Sequence, residues 1–253
     1  MLELYRREIV GSFYSWRGGV WIIAASIIFS LVTYLLLTDK ELSLLDQGEM
    51  LLILAEVVLT LGIIMSATTA SSTISNEIES GTFESLLLTP ITSRQISLQK
   101  LMSTITLWVI LYVVSIPYLI VASSGTNLGL SAVLYTGLYG TLLVTGISLL
   151  SVAISGRLRS SKNSIMTMLM IALILLAPSI FFASSLKKTD FGLVLENVNP
   201  ASHAIDSIDS VVVDNEQTLL QQINHIWPLI VFTLICGFLF TILTKRFEVV
   251  GLE

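Results

Sequence analysis

The chain has 253 residues, of which 54% are apolar and only 12% charged, and its mean hydropathy is +0.86. Soluble domains carry about 25% charged residues, so this composition excludes an ordinary soluble protein and indicates one whose packing solvent is lipid. A formal net charge of −5 says little by itself, but with no cluster of Lys and Arg no nucleic-acid partner is expected, and a single cysteine, Cys236, excludes an intrachain disulfide.

Residues 1–17 open the chain with Leu2, Tyr5, Ile9, Phe13 and Trp16 at spacings of three and four, and with Glu3, Arg6 and Arg7 elsewhere on the wheel. The pattern predicts an amphipathic helix lying in the membrane interface. Glu3 and Glu8, with the long apolar run after Gly18, argue against a cleavable signal peptide.

Six spans are predicted next, because an apolar run of about 20 residues crosses the hydrocarbon and only a helix satisfies its own backbone there. They are Gly18 to Thr38, about Met50 to Ile74, two within the charge-free stretch Leu101 to Gly156, about Asn163 to Ser184, and about Ile226 to Thr244. Turn chemistry at Ser123–Gly129 divides the third from the fourth. Pro228 is expected in the first turn of the sixth, where proline is tolerated.

Orientation follows from the basic residues. Placing the N-terminus in the cytoplasm puts Arg6, Arg7, Arg17, Arg94, Lys100, Arg157, Arg159, Lys162, Lys245 and Arg246 inside, and only Lys40, Lys187 and Lys188 of the 13 outside. Both termini and the segment 75–95 are then cytoplasmic, in the cell membrane. The acidic segment 185–225 is then external. Asn199-Pro200 starts a short helix there, with Ile205, Ile208, Val211 and Val212 as its apolar stripe, one of two short helices expected over the outer mouth. That segment is also where an extracytoplasmic partner would bind. No linker suggests a second domain, so 1–253 reads as a single transmembrane domain.

The segment 75–95 carries its own punctuation. Gly81 can end a helix, Thr82 can cap a new one, Phe83 to Leu88 form an amphipathic turn, and Pro90 stops it. Thr92 and Gln95 have capping-box spacing for the next helix. Glu77, Glu79 and Glu84 give the segment an acidic face, and an apolar patch of Phe83, Leu86, Leu87 and Leu88 has reason to stand in water only if it docks into a groove.

No pattern reads as catalysis or as a nucleotide site, since both G-x-x-x-x-G-K-[ST] and G-x-G-x-x-G are missing. His203 and His225 are expected to lie well apart, as ordinary surface or interface residues, so no metal site is expected. Glu56, inside the second span, and Pro117 and Pro178, inside the third and fifth, are the candidates for a pathway or gating role, against an ordinary role in contact, packing or hinging. Gly62, Ser66 and Ala70 at four-residue steps predict close approach of another helix.

The block Asn76-Glu77-Ile78-Glu79-Ser80-Gly81-Thr82-Phe83-Glu84-Ser85-Leu86-Leu87-Leu88-Thr89-Pro90-Ile91, continuing to Lys100, resembles the signature of type-2 ABC transporter permeases: an acidic pair, Gly-Thr, a Leu-rich turn, Pro with an aliphatic residue, and a Lys opening the third span. The family often has a basic residue between the two acids, where this chain has Ile78. The resemblance implies an all-α membrane protein of six spans, an N-terminal elbow helix, a cytoplasmic coupling helix at 82–88 and short external helices between spans five and six. It further implies that Glu77, Glu79, Gly81, Thr82, Phe83, Glu84, Leu87 and Pro90 meet a separate ATP-binding subunit, which holds the ATP and Mg, while this chain holds no cofactor. A second permease chain, identical or related, would complete the pathway of an ATP-driven exporter. A membrane anchor that transmits force without moving a solute, a stand-alone carrier or channel, and a lipid-acting membrane enzyme are the competing readings. The scarcity of intramembrane charge counts against the carrier, and the lack of paired acids or histidines at the interface against the enzyme.

Overall fold

A computed structural model of the chain describes residues 16–38, 46–82, 92–124, 126–158, 160–180, 189, 197–214 and 222–245. Among these residues the secondary structure is helical, with no strand. In chain order the helices are α1 (Trp16–Thr38), α2 (Gln47–Glu79), α3 (Ser93–Ala122), α4 (Gly129–Leu158), α5 (Ser161–Ile180), α6 (Pro200–Val212) and α7 (Ile223–Lys245). All except α6 are long and apolar enough to cross a membrane. The segment 1–15, where an interfacial helix is expected, lies outside the described residues.

The spans begin and end where local chemistry dictates, which is not always where hydropathy changes. Helix α2 has 33 residues, longer than the expected Met50 to Ile74 at both ends. The Asp46 side chain accepts from the Gln47 amide at its start, and Glu77 and Glu79 continue the helix past the apolar run until Gly81, at φ +70°, ends it. At 1.5 Å per residue it is about 50 Å long, well beyond the roughly 30 Å of hydrocarbon. Helix α7 starts at Ile223, earlier than expected, because Asn224 and His225 are polar but helical. Pro228 therefore lies one turn deeper than expected, inside the helix, where its missing amide removes a bond to the Asn224 carbonyl. Helix α3 ends at Ala122 and α4 begins at Gly129, as the turn residues require.

Helices α2 and α4 form the centre: 61% and 56% of their apolar windows are buried, against 22% for α1 and 17% for α7. The indole of Trp108 on α3 fills the space between them. It is 1% exposed, and it occupies the volume that a Cβ on Gly62 or Gly140 would need. Where close approach of a helix is expected at Gly62, a side chain of α3 takes the space instead, and the missing Cβ atoms are what admit it. Nearer the Glu77 end, the Ser155 hydroxyl of α4 accepts from the amides of Ile74 and Ser75 at 3.1 and 3.0 Å, joining α4 to α2.

Helix α6 closes the opposite end. Its expected stripe of Ile205, Ile208, Val211 and Val212 is buried. Gly48 of α2 passes so close to it that a Cβ there would lie 2.7 Å from the Val212 carbonyl oxygen. Asn199 caps α6 by accepting from the Ala201 amide at 2.9 Å, and its own amide donates to the Leu175 carbonyl of α5 at 2.6 Å. Of the two short helices expected in 185–225, α6 is one, and residues 190–196 and 215–221 lie outside the described residues.

Candidate functional site

Two charged residues at the edge of the bundle meet at the root of the 80–92 segment. Helix α2 brings Glu77 to the point where α3 presents Lys100, and Lys100 Nζ donates to Glu77 Oε1 at 2.5 Å. The side chains are 9% exposed for Lys100 and 20% for Glu77. Two unlike charges so far out of water each compensate the other's desolvation, so the end of α2 and the start of α3 are held together.

The exit from α2 is itself fixed by hydrogen bonds. Ser80 N donates to the Asn76 carbonyl at 3.0 Å and Gly81 N to the Ile78 carbonyl at 3.2 Å. The hydroxyls of Ser80 and Thr82 both donate to the Glu77 carbonyl, at 3.2 and 3.3 Å, and lie 2.9 Å from one another. Thr82 thus turns its hydroxyl back to close α2. Gly81 is exposed and a Cβ there would meet nothing within 4 Å, so its requirement is the left-handed backbone alone. At the far side Thr92 and Gln95 make the expected capping box.

Of the residues singled out in the sequence, Glu77, Gly81 and Thr82 come together here with Lys100, and Glu79 is exposed on the last turn of α2. Phe83, Glu84, Leu87 and Pro90 lie outside the described residues. Glu56 is half-buried on α2. Pro117 is exposed on α3, next to Tyr118, whose hydroxyl lies 2.9 Å from Ser30 Oγ and 3.3 Å from Ser26 Oγ of α1. Pro178 is buried in the last turn of α5 beside the Asn199 and Ser202 contacts of α6. These three residues are not brought together with the Glu77 root.

Sequence reasoning missed the Glu77–Lys100 pair as a contact, although both residues sit at the same membrane edge, one at the end of a span and one at the start of the next. It also placed His203 and His225 apart, whereas their ring centroids are 5.8 Å from each other. Helix α6 folds back over the start of α7, a return that sequence spacing does not reveal.

No curated protein matches the chain. The sequence profile of the ABC-2 family transporter proteins matches residues 13–248, a range that takes in every described helix and the acidic root with its ion pair. The chain therefore belongs to the ABC-2 family transporter proteins, as a multi-pass permease subunit of an ABC transporter.

Proposed function

We propose that this permease exports a solute across the cell membrane by alternating access, driven by a separate ATP-binding subunit that grips the 80–92 segment from the cytoplasm. ATP and Mg belong to that partner, and a second permease chain completes the pathway. The observation that carries the reading is the Glu77–Lys100 bridge at 2.5 Å. A push on the segment between α2 and α3 meets two helices already fastened together, so the spans tilt as a body instead of the loop yielding. The acidic and apolar residues Glu79, Phe83, Glu84, Leu87 and Pro90 form the contact surface in this reading. Glu56, Pro117 and Pro178 remain the candidates for the moving parts of the pathway.

A force-transmitting role without a solute is the second reading. It is favoured by α2, which runs unbroken from the Glu77 root to Gly48 beneath α6, so that a tilt at one end reaches the other. Changing Leu87 or Glu84 to Arg tests the coupling shared by both readings. The expected result is loss of the ATPase stimulation seen in the assembled complex, with membrane insertion unchanged. Normal assembly and normal stimulation would contradict it.

A further inference from the structure

His203 lies at the start of α6 and His225 in the first turn of α7, and their rings meet edge to face at 5.8 Å between centroids and 64° between planes. His203 Nε2 is 2.9 Å from the backbone oxygen of Asn197. A carbonyl only accepts, so Nε2 carries the proton and Nδ1 keeps a bare lone pair. That Nδ1 is buried and has no hydrogen-bond partner among the described residues. Beside the rings runs a second tie that does not titrate. The Ser207 hydroxyl donates to Gln222 Oε1, Gln222 Nε2 donates to Ser210 Oγ at 2.8 Å, and the His225 amide donates to the Gln222 carbonyl at 3.0 Å.

We propose that the His203–His225 ring contact is an acid-sensitive latch, holding α6 on the start of α7 when both rings are neutral and releasing it when both are protonated. Imidazole changes charge between about pH 5 and 8. Neutral rings attract edge to face. Two imidazolium rings repel, and a proton on His203 Nδ1 would be a buried donor facing no acceptor. Among the described residues, few ionisable groups lie on the elements packed against this contact. Helix α6 carries Asp206 and Asp209, with Asp214 beyond its end; the start of α2, which meets α6 at Gly48, carries Asp46 and Glu49. Toward this end α3 and α4 offer only tyrosines, Tyr112, Tyr118, Tyr135 and Tyr139, and the basic residues of α5 and α7, Lys162 and Lys245, are at the far end. The contact lies wholly within this chain, so it is read without the ATP-binding subunit and independently of the coupling proposal.

Amide hydrogen exchange of the purified full-length chain in lipid nanodiscs, at about pH 7.5 and about pH 5.5 with intrinsic rates corrected, tests the latch. Exchange in residues 200–212 should speed about fivefold or more at the acid value, while residues 135–147 of α4 stay unchanged. His203→Gln should remove the step, and His225→Phe, which keeps a ring but no charge, should leave α6 protected at both values. A wild-type α6 with no pH step, or a step that survives in either variant, overturns the proposal. Protection that appears only with added Zn²⁺ at neutral pH and is lost in both variants overturns it too, by making the pair a metal site.

Discussion

Glu77 and Lys100 meet at 2.5 Å across the gap between the second and third helices, with Lys100 almost fully buried. An ion pair so far from water is a fastening more than a net source of stability, because desolvation consumes most of the Coulomb gain. Its importance shows when one partner is removed and the other charge is stranded. Lys100→Met or Glu77→Gln alone should destabilise the α2–α3 end by about 1–3 kcal/mol, below the 3–5 typical of fully buried pairs because Glu77 is 20% exposed. Either should also cut ATPase stimulation by about tenfold. The exchange Glu77→Lys with Lys100→Glu should recover a substantial part of both. A double-mutant cycle on thermal unfolding and ATPase activity checks this, and purely additive losses would show that the pair does not act as a unit.

Gly81 offers a cleaner backbone test. Its φ of +70° costs a residue with a Cβ about 1–2 kcal/mol, and no neighbour crowds the site. Gly81→Ala should therefore loosen the exit from α2, while Gly81→Asn, which tolerates the left-handed region, should lose less. Limited proteolysis within 80–92 reads the difference, with cleavage expected in the order Ala, Asn, wild type.

Trp108 tests the central packing. Both Gly62 and Gly140 leave room for the indole, so Trp108→Ala opens a large cavity and Gly62→Leu drives a side chain into occupied space. In lipid the transfer term is weak and the loss is mainly of dispersion contacts. Trp108→Ala should lower stability by about 3 kcal/mol, the lower end of the range for soluble cores, and Gly62→Leu by about 1–3. Thermal unfolding in detergent measures both, and a neutral Gly62→Leu would contradict the packing described.

Asn199 separates a cap from a tether. Asn199→Asp keeps the oxygen that caps α6 but loses the donor to the Leu175 carbonyl, whereas Asn199→Ala loses both. The cap is worth about 1 kcal/mol, and the tether, a side-chain hydrogen bond to a half-buried helical carbonyl, about 0.5–1.5. Hydrogen exchange in α6 should rise modestly for Asp and strongly for Ala. An Asp variant that exchanges like wild type would show that the tether to α5 contributes nothing, and equal effects would show the same of the cap.

The spans were legible because lipid makes apolar length the dominant signal, and the start of α6 because cap chemistry at Asn199-Pro200 is local. The Thr92–Gln95 box was legible for the same reason. The ends of α2 and the start of α7 were not, since Glu77 and Glu79 are good helix formers that hydropathy counts as loop, and Asn224 is polar yet sits in the first turn of α7. Contacts between elements were least legible. The Trp108 indole at Gly62, the Glu77–Lys100 bridge and the meeting of His203 with His225 depend on how distant helices return on one another.

Coupling of the proposed kind requires the 80–92 segment to stand in the cytoplasm within reach of an ATP-binding partner. In a Cys236→Ser background, a single cysteine at Glu84 treated with a membrane-impermeant maleimide is the most direct test. Labelling is expected in inside-out vesicles, suppressed when the ATP-binding subunit is bound, and none is expected in intact cells. Labelling from outside intact cells, or labelling that the bound subunit leaves unchanged, would contradict the proposed coupling.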